Sequence, residues 1–463
     1  MNVVFVGGGS YRTLPIVRGA MAEKAVLRNG KIWLVDLNLG RAETVGRLIM
    51  RTPEFVGSGC HVQWTRNLDR ALPGADMVSI SFPVGSSLVC RLSEQACRRH
   101  GFHGSDQLSL SGAFRSLTGG AIILDIAKRM EKHCPGAWLV DHANPVAVYS
   151  GLVNNHTRIK ALGLCASCFH PRWDLTRLLY EKDEYRDEYQ YASAGVNHMS
   201  FLLRCEHKGR DVYELLDEKY GDGPWKPHLP AVRLGNRAML LFSYDLLRKM
   251  RKRFGIMGCS NEIEGPLHLF PDEFPNLLGG KPVPAAELKR QSAKGVAARR
   301  TADLEFRSYL DRELDSGFWA RSWVENPQFG ANDSDTTTVV LKALGSGKKQ
   351  WLAASLPNRG AVKGFKDRTV LEYSFTMDKR GVHPDPGLEV PDCYHGLITS
   401  LATHQTLLGD AIATRDPKIL SDALFAYPHH QSVKEARALW KELLGIHAGE
   451  IRPEFQKAKD YFC

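Results

Sequence analysis

No stretch of this chain reaches the roughly 18 uninterrupted apolar residues of a membrane-crossing helix. Its opening MNVVFV run is short and has no basic region before it, so no signal peptide is expected either. Ten cysteines, scattered from Cys60 to Cys463, are too sparse over 463 residues for a disulfide scaffold. With no export signal, this implies a reducing, cytoplasmic setting in which most cysteines serve as small buried hydrophobes. Internal repeats and low-complexity linkers are absent, and a hydrophobic fraction of 43% with 24% charged residues excludes disorder as the main state. Acidic residues fall short of basic ones, 51 against 61, leaving a net charge of +10. The basic residues are spread out, and no aromatic-interleaved basic module accompanies them. Nucleic acid is therefore not an expected partner, whereas a small anionic ligand is.

The length predicts two or three structural units. An apolar, β-branched run stops at Gly7-Gly8-Gly9; a helix-like spacing of apolar residues follows, and then Lys31–Val35 ends in Asp36. Strand, glycine turn, helix, strand and acid form the first unit of a dinucleotide-binding fold. Gly7, Gly8, Gly9 and Ser10 would bring the backbone close to a pyrophosphate at a helix N-terminus. Asp36, at the end of the second strand, would accept from a ribose 2′-OH and repel a 2′-phosphate, favouring NAD over NADP. Further strands over residues 75–82, 137–141 and 159–163 alternate with helices, the second helix covering residues 117–134, which implies a parallel sheet covered on both faces. After about residue 195 longer helical patterns with basic faces take over. The expected fold is α/β: a Rossmann-type doubly wound parallel sheet over residues 1–195, then a mainly helical α+β domain over 196–463.

Asn144-Pro145-Val146 follows one of these strands and resembles the Asn-Pro-Val turn of the lactate and malate dehydrogenases. The catalytic His-Asp pair and arginines of those enzymes are not found at the expected distances. The stretch GLCASCFH, residues 163–170, raises a zinc site or a redox pair. The first needs a second Cys or His pair at matching spacing and the second a thioredoxin-like context, and neither is present. Cys165 and His198, on neighbouring loops, are instead two ligands of a metal site with open positions, as a catalytic metal requires.

Taken in order, GGGS at Gly7, Asp36, Asn144-Pro145, Gly163-Leu-Cys165 and Gly195-Val-Asn197-His198 resemble glycoside hydrolase family 4, the NAD-dependent glycosidases. The resemblance continues through Pro357–Gly360 and Gly381–Pro384 to Leu408-Gly-Asp410 and Asp416-Pro417, covering nearly the whole chain. It implies a fold in the lactate/malate dehydrogenase superfamily, NAD and a divalent metal such as Mn²⁺ as cofactors, and a homodimer or homotetramer. In that family NAD⁺ takes a hydride from C3 of the sugar, the C2 proton is removed, the C1 substituent leaves, water adds and the hydride returns. The resemblance further implies Cys165 and His198 as metal ligands, Asn144 and Asn197 near the sugar hydroxyls, and Arg91 as a substrate-binding arginine.

Several positions depart from the family's pattern. The residue after the metal cysteine, often polar or ionisable, is Ala166, which leaves His170 as a candidate proton donor to the leaving group. Glu264 matches a family glutamate, while Cys259 and Asn261 stand where ionisable groups are expected. Tyr244 is the candidate if the base is a tyrosine. The departures point to an altered substrate: an anionic sugar, phosphorylated, uronic or sulfonated. Two other readings stay open, a sugar or 2-hydroxy-acid NAD dehydrogenase of the same fold and an NAD-binding sensor with reduced catalysis.

Overall fold

The computed structural model describes residues 1–182, 188–229, 234–273, 283–429 and 431–462. Six parallel strands form its first half: β1 (Asn2–Val6), β2 (Lys31–Val35), β3 (His61–Thr65), β4 (Met77–Ile80), β5 (Trp138–Asp141) and β6 (Lys160–Gly163). They lie in the order β3-β2-β1-β4-β5-β6, the arrangement of a Rossmann sheet. Val3, Val4 and Phe5 of β1 are no more than 2% exposed, because helices cover both faces of the sheet. Each such side chain contributes about 1.5–3 kcal/mol by leaving water.

The sheet does not end with this half. Antiparallel strands β7 (Tyr189–Val196), β8 (Met199–His207), β9 (Arg210–Asp211), β10 (Gln350–Pro357), β11 (Val370–Asp378) and β12 (Gly381–Pro384) extend it. β10 joins β6 through Ser355 and Gly163, and the order continues β10-β11-β7-β8-β9, with β12 on β11. The β7–β8 hairpin straddles the boundary expected between residues 195 and 196. Beyond that boundary helical periodicity points to a mainly helical α+β unit without placing its strands. The added strands escape such a reading because β10 is a short, mostly apolar run that fits a buried helix as well as a strand, while β11 alternates polar and apolar residues yet buries both sets, Glu372 and Ser374 as well as Tyr373 and Phe375.

The helix expected over residues 117–134 runs from Leu110 to His133, starting earlier because the Ser109 side chain accepts from the Gly112 N–H. By composition this helix is apolar enough to cross a membrane, yet two-thirds of its most apolar window is buried within the molecule. Of the closing helices, Asp392–Thr414 packs over both it and the helix Val146–His156, Val433–Ile446 packs over it, and Pro417–Ala426 packs against Asp392–Thr414.

Two histidines buried in this layer, His404 and His447, carry a pH prediction. Burial lowers both to about 4. They stay neutral in the folded protein, whereas the unfolded chain takes up their protons below about pH 6.5. Stability is thus full above that pH and declines as pH falls toward 4, because the unfolded state binds more protons. About 2 kcal/mol per histidine should be lost between pH 7 and pH 5, measured from urea midpoints. A His404→Gln, His447→Gln double variant should show a flatter dependence.

Candidate active site at the carboxyl edge of the sheet

The turn after β1 is built by glycines for steric reasons. Gly7 has φ +85°, and a Cβ there would lie 2.4 Å from the Ser81 carbonyl oxygen; on Gly8 it would lie 2.7 Å from the Leu34 Cα. The Gly7 and Gly8 N–H groups donate to the Val35 carbonyl, locking the turn to the end of β2. Asp36 follows, its two carboxylate oxygens accepting from the Gly9 and Asn38 N–H groups at 2.9 and 2.8 Å. A cavity of about 1100 Å³ opens here. It runs from Asp36 and Arg41, past Gly7, Ser10 and Arg12, to Asn144 beyond β5. Its length along the carboxyl edge, a carboxylate at one end and backbone without side chains between, fits a dinucleotide.

Arg12 is not free for a 2′-phosphate: its Nη2 pairs with Asp335 Oδ2 at 2.7 Å and lies 3.2 Å from His142 Nε2. Burial, with the Arg12 charge beside it, lowers His142 to about 3, so it stays neutral. Burial works against ionisation of Asp335, but Arg12 holds its carboxyl below the ordinary value.

Asp141 and Gly163 are register partners at the ends of neighbouring parallel strands. Asn144 and Cys165, shortly after them, therefore emerge side by side at the carboxyl edge. The Asn144–Pro145 peptide is cis, and Asn144 Nδ2 donates to Asp106 Oδ2 at 2.9 Å. From the other half of the molecule, the two-residue Asn197-His198 turn of the β7–β8 hairpin brings His198 to Cys165, with Nε2 3.7 Å from Sγ. His198 adopts φ +66°, a left-handed conformation uncommon for a residue with a side chain. Neighbouring bonds hold the turn: Asn197, 2% exposed, donates to Glu372 Oε2 at 2.8 Å, and Ser200 donates to Glu372 Oε1 at 3.1 Å. Burial raises the Glu372 carboxyl despite these donors.

Two carboxylates complete the cluster. Glu264 Oε2 is 2.9 Å from His198 Nδ1, and Glu262 pairs with the same nitrogen. Burial opposes a charge on His198, yet Glu264 and Glu262 raise its proton affinity well above the ordinary imidazole value. Burial likewise works against Glu264, but His198 lowers it to about 2. Donor atoms of Cys165, His198 and Glu262 lie within 4.8 Å of one another. A sulfur, a nitrogen and a carboxylate oxygen suit a divalent first-row transition ion, and so many anionic groups in a mostly buried pocket call for a cation.

Family models then match both halves of the chain: "Family 4 glycosyl hydrolase" over residues 2–181 and its C-terminal domain over 193–430. The chain belongs to glycosyl hydrolase family 4. A 6-phospho-beta-glucosidase of Escherichia coli is 24% identical over 96% of this chain and 95% of its own. An alpha-galacturonidase of Thermoanaerobacter italicus is 23% identical over 96% and 95%. The solved 6-phospho-beta glucosidase of Thermotoga maritima with manganese, NAD⁺ and glucose-6-phosphate shares the fold. Its TM-score is 0.72 at 17% identity, over 98% of this chain and all of that one. The expected family and the expected α/β fold class both stand.

Within this family-4 chain the remaining expected site residues fall into separate groups. Tyr244 is fully buried, and its hydroxyl donates to Asp174 Oδ1 at 2.5 Å. Burial and then Asp174 raise its phenol far above the ordinary value, so the proton stays on tyrosine. Asn261 donates to the same Asp174 oxygen at 3.1 Å, which ties Tyr244 to the loop carrying Glu262 and Glu264. His170 opens the helix His170–Tyr180 one helical turn ahead of Asp174 and on the same helix face; its Nδ1 is buried without a hydrogen-bond partner. Arg91 stands apart: it is exposed, bonds Gln291 at 3.3 Å and does not line the nucleotide cavity.

Three contributors escape a reading of the sequence. Glu262 is one; its only signal is the Glu-Ile-Glu alternation, and its partner His198 lies far from it along the chain. Asp174, where Tyr244 and Asn261 meet, is another. The third is the helix Ala285–Ser308, whose Gly295, Ala298, Arg299 and Ala302 line the nucleotide cavity from the second half. Its small residues recur at helical spacing, a pattern that ordinary solvent-exposed helices share.

Proposed function

We propose that this chain is an NAD- and divalent-metal-dependent glycosidase acting on a small anionic glycoside. The observation that carries it is the Cys165–His198 pair, with Sγ and Nε2 3.7 Å apart, where the loop of Cys165 leaves the strand next to the one that leads to Asn144 and the nucleotide cavity. A sugar seated there would touch both sites at once. When bound, NAD⁺ would supply hydride-transfer chemistry toward the sugar and the divalent metal Lewis-acid chemistry.

The chain's own residues position and shuttle protons. Cys165 and His198 hold the metal, while Glu372 fixes the Asn197-His198 turn through Asn197 and Ser200. Asn144, aligned by Asp106, meets the sugar hydroxyls. His170 carries the proton for the leaving group, the task that Ala166 lacks the chemistry to perform. Glu264 aligns His198, and Tyr244 aligns Asp174 and the Asn261–Glu264 loop. The first half, 1–195, holds the nucleotide; the second, 196–463, completes the metal site and supports a homodimer or homotetramer. A reducing, cytoplasmic compartment suits the reading, because Cys165 has to remain a free thiol, as it is here. An anionic substrate is supported by the net charge of +10 and by the names of the two relatives above, each of which carries an anionic sugar.

The test is a panel of nitrophenyl glycosides of 6-phospho, uronic and sulfonated sugars, assayed with NAD⁺ and Mn²⁺ in D₂O. Cleavage with solvent deuterium at C2 of the product, and no net NADH, is expected. Cleavage without deuterium and without NAD⁺ would sink the mechanism. Steady NADH accumulation from a free sugar would point to a dehydrogenase.

A further inference from the structure

Two carboxylates converge on one nitrogen of His198, which offers them a single N–H. With Nε2 facing Cys165, a neutral imidazole that ligates through Nε2 keeps a single N–H, at Nδ1. Glu264, at 2.9 Å from Nδ1, makes an ordinary hydrogen bond and is the more deeply buried, 13% exposed against 16% for Glu262. A metal-bound histidine commonly donates its second N–H to a carboxylate that orients the ring, and Glu264 meets that need. Glu262 is then left over, pressed against the same group.

We infer that Glu262 is a third protein ligand of the metal held by Cys165 and His198. This rests on the metal-dependent reading above. The set of donor atoms lying within 4.8 Å of one another comprises Cys165, His198 and Glu262, without Glu264. That spacing is about what ligands on a single ion span, with donor bonds of roughly 2.0–2.3 Å on opposite or adjacent sides. Charge points the same way. A thiolate and one carboxylate neutralise a dication, while Glu264 remains in the outer layer as the partner of the imidazole N–H. A metal site without Glu262 as a ligand would leave two carboxylates competing for the one N–H at Nδ1.

The loop that presents Glu262 is built into the structure. The Cys259 N–H donates to the Ser200 carbonyl at 2.7 Å, just past His198 in the chain, and Phe201 bridges Gly258. Asn261 is bonded to Asp174 on the far side. Just after these anchors Glu262 and Glu264 flank Ile263 in non-helical chain, and both reach His198. Three protein ligands of mixed hardness leave half of an octahedron open for sugar oxygens and water, and the added carboxylate favours Mn²⁺ over softer ions.

The experiment titrates metal-stripped full-length protein with Mn²⁺, following free Mn²⁺ by EPR, with NAD⁺ affinity by calorimetry as the control for folding. Outer-layer partners cost roughly 10–100-fold in metal affinity, so Glu262→Ala should weaken Mn²⁺ binding at least about 100-fold with NAD⁺ affinity unchanged. A second variant, Glu262→His, should recover binding of Co²⁺ or Zn²⁺ in preference to Mn²⁺, because it restores a ligand of softer type. In the Co²⁺ protein, Glu262→Ala should shift the visible d–d bands, whereas Glu264→Gln should lower affinity and leave them in place. Wild-type protein that binds no Mn²⁺ would overturn the metal-dependent reading itself. Wild-type binding with unaltered affinity and Co²⁺ spectrum in Glu262→Ala would overturn the ligand assignment alone.

Discussion

Replacing Cys165 by serine is expected to lower Mn²⁺-dependent glycoside turnover about 10³-fold while leaving NAD⁺ affinity unchanged. A Lewis-acid metal supplies several kcal/mol of charge stabilisation, and each step of about 1.4 kcal/mol is tenfold in rate. Serine has nearly the size of cysteine but does not ionise, so the site loses one of its anionic donors. The 3.7 Å approach to His198 Nε2 places this loss at the centre of the cluster. Cys165 does not line the nucleotide cavity, so NAD⁺ binding is the internal control. Steady-state assays across a Mn²⁺ titration, beside NAD⁺ calorimetry, make the comparison. Full turnover in Cys165→Ser would remove the metal from the reaction, and a protein that merely senses the nucleotide would have no turnover to lose.

The second large effect belongs to Gly7. Substitution by alanine forces a side-chain-bearing residue into φ +85° and drives its Cβ to 2.4 Å from the Ser81 carbonyl oxygen. The left-handed conformation costs an alanine about 1–2 kcal/mol. The contact adds more, because the neighbour is strand-end backbone and not a flexible side chain. The turn must move, and with it the backbone that lines the cavity at Gly7 and Ser10. About a 100-fold weaker NAD⁺ affinity is expected, equivalent to about 2.7 kcal/mol, together with a lower urea midpoint. Since Cys165 and His198 lie on other elements, Mn²⁺ affinity should be preserved. Calorimetry with each ligand separates the two sites, and undiminished NAD⁺ binding would show that the turn does not cradle the nucleotide.

Much of the nucleotide half is readable in advance because its signals are local. Strands such as Lys31–Val35 alternate with helices at the spacing of a βαβ unit, and Gly7 to Gly9 announce a turn that a Cβ would block. Cys165 and His198 pair through the order of motifs along the chain, and the hairpin confirms their proximity. Their neighbours are less accessible. Tyr244 stands out in a helical pattern as a possible base, yet its hydroxyl is spent on Asp174, a residue with no signal of its own. Arg91 occupies the expected place in sequence but bonds Gln291 on the surface.

Local chemistry along the chain is enough to specify the parallel sheet, the glycine turn, Asp36 and the family to which this hydrolase belongs. Periodicity and steric demand act between residues a few positions apart, so they survive in one dimension. Three-dimensional packing alone settles the convergence of Glu262 and Glu264 on His198, the burial of Tyr244 against Asp174, and the helix Ala285–Ser308 closing the nucleotide cavity. These depend on how a sheet that continues from β6 into β10 brings distant loops to one edge. The register that places them is fixed by the whole buried core, and no short segment carries it.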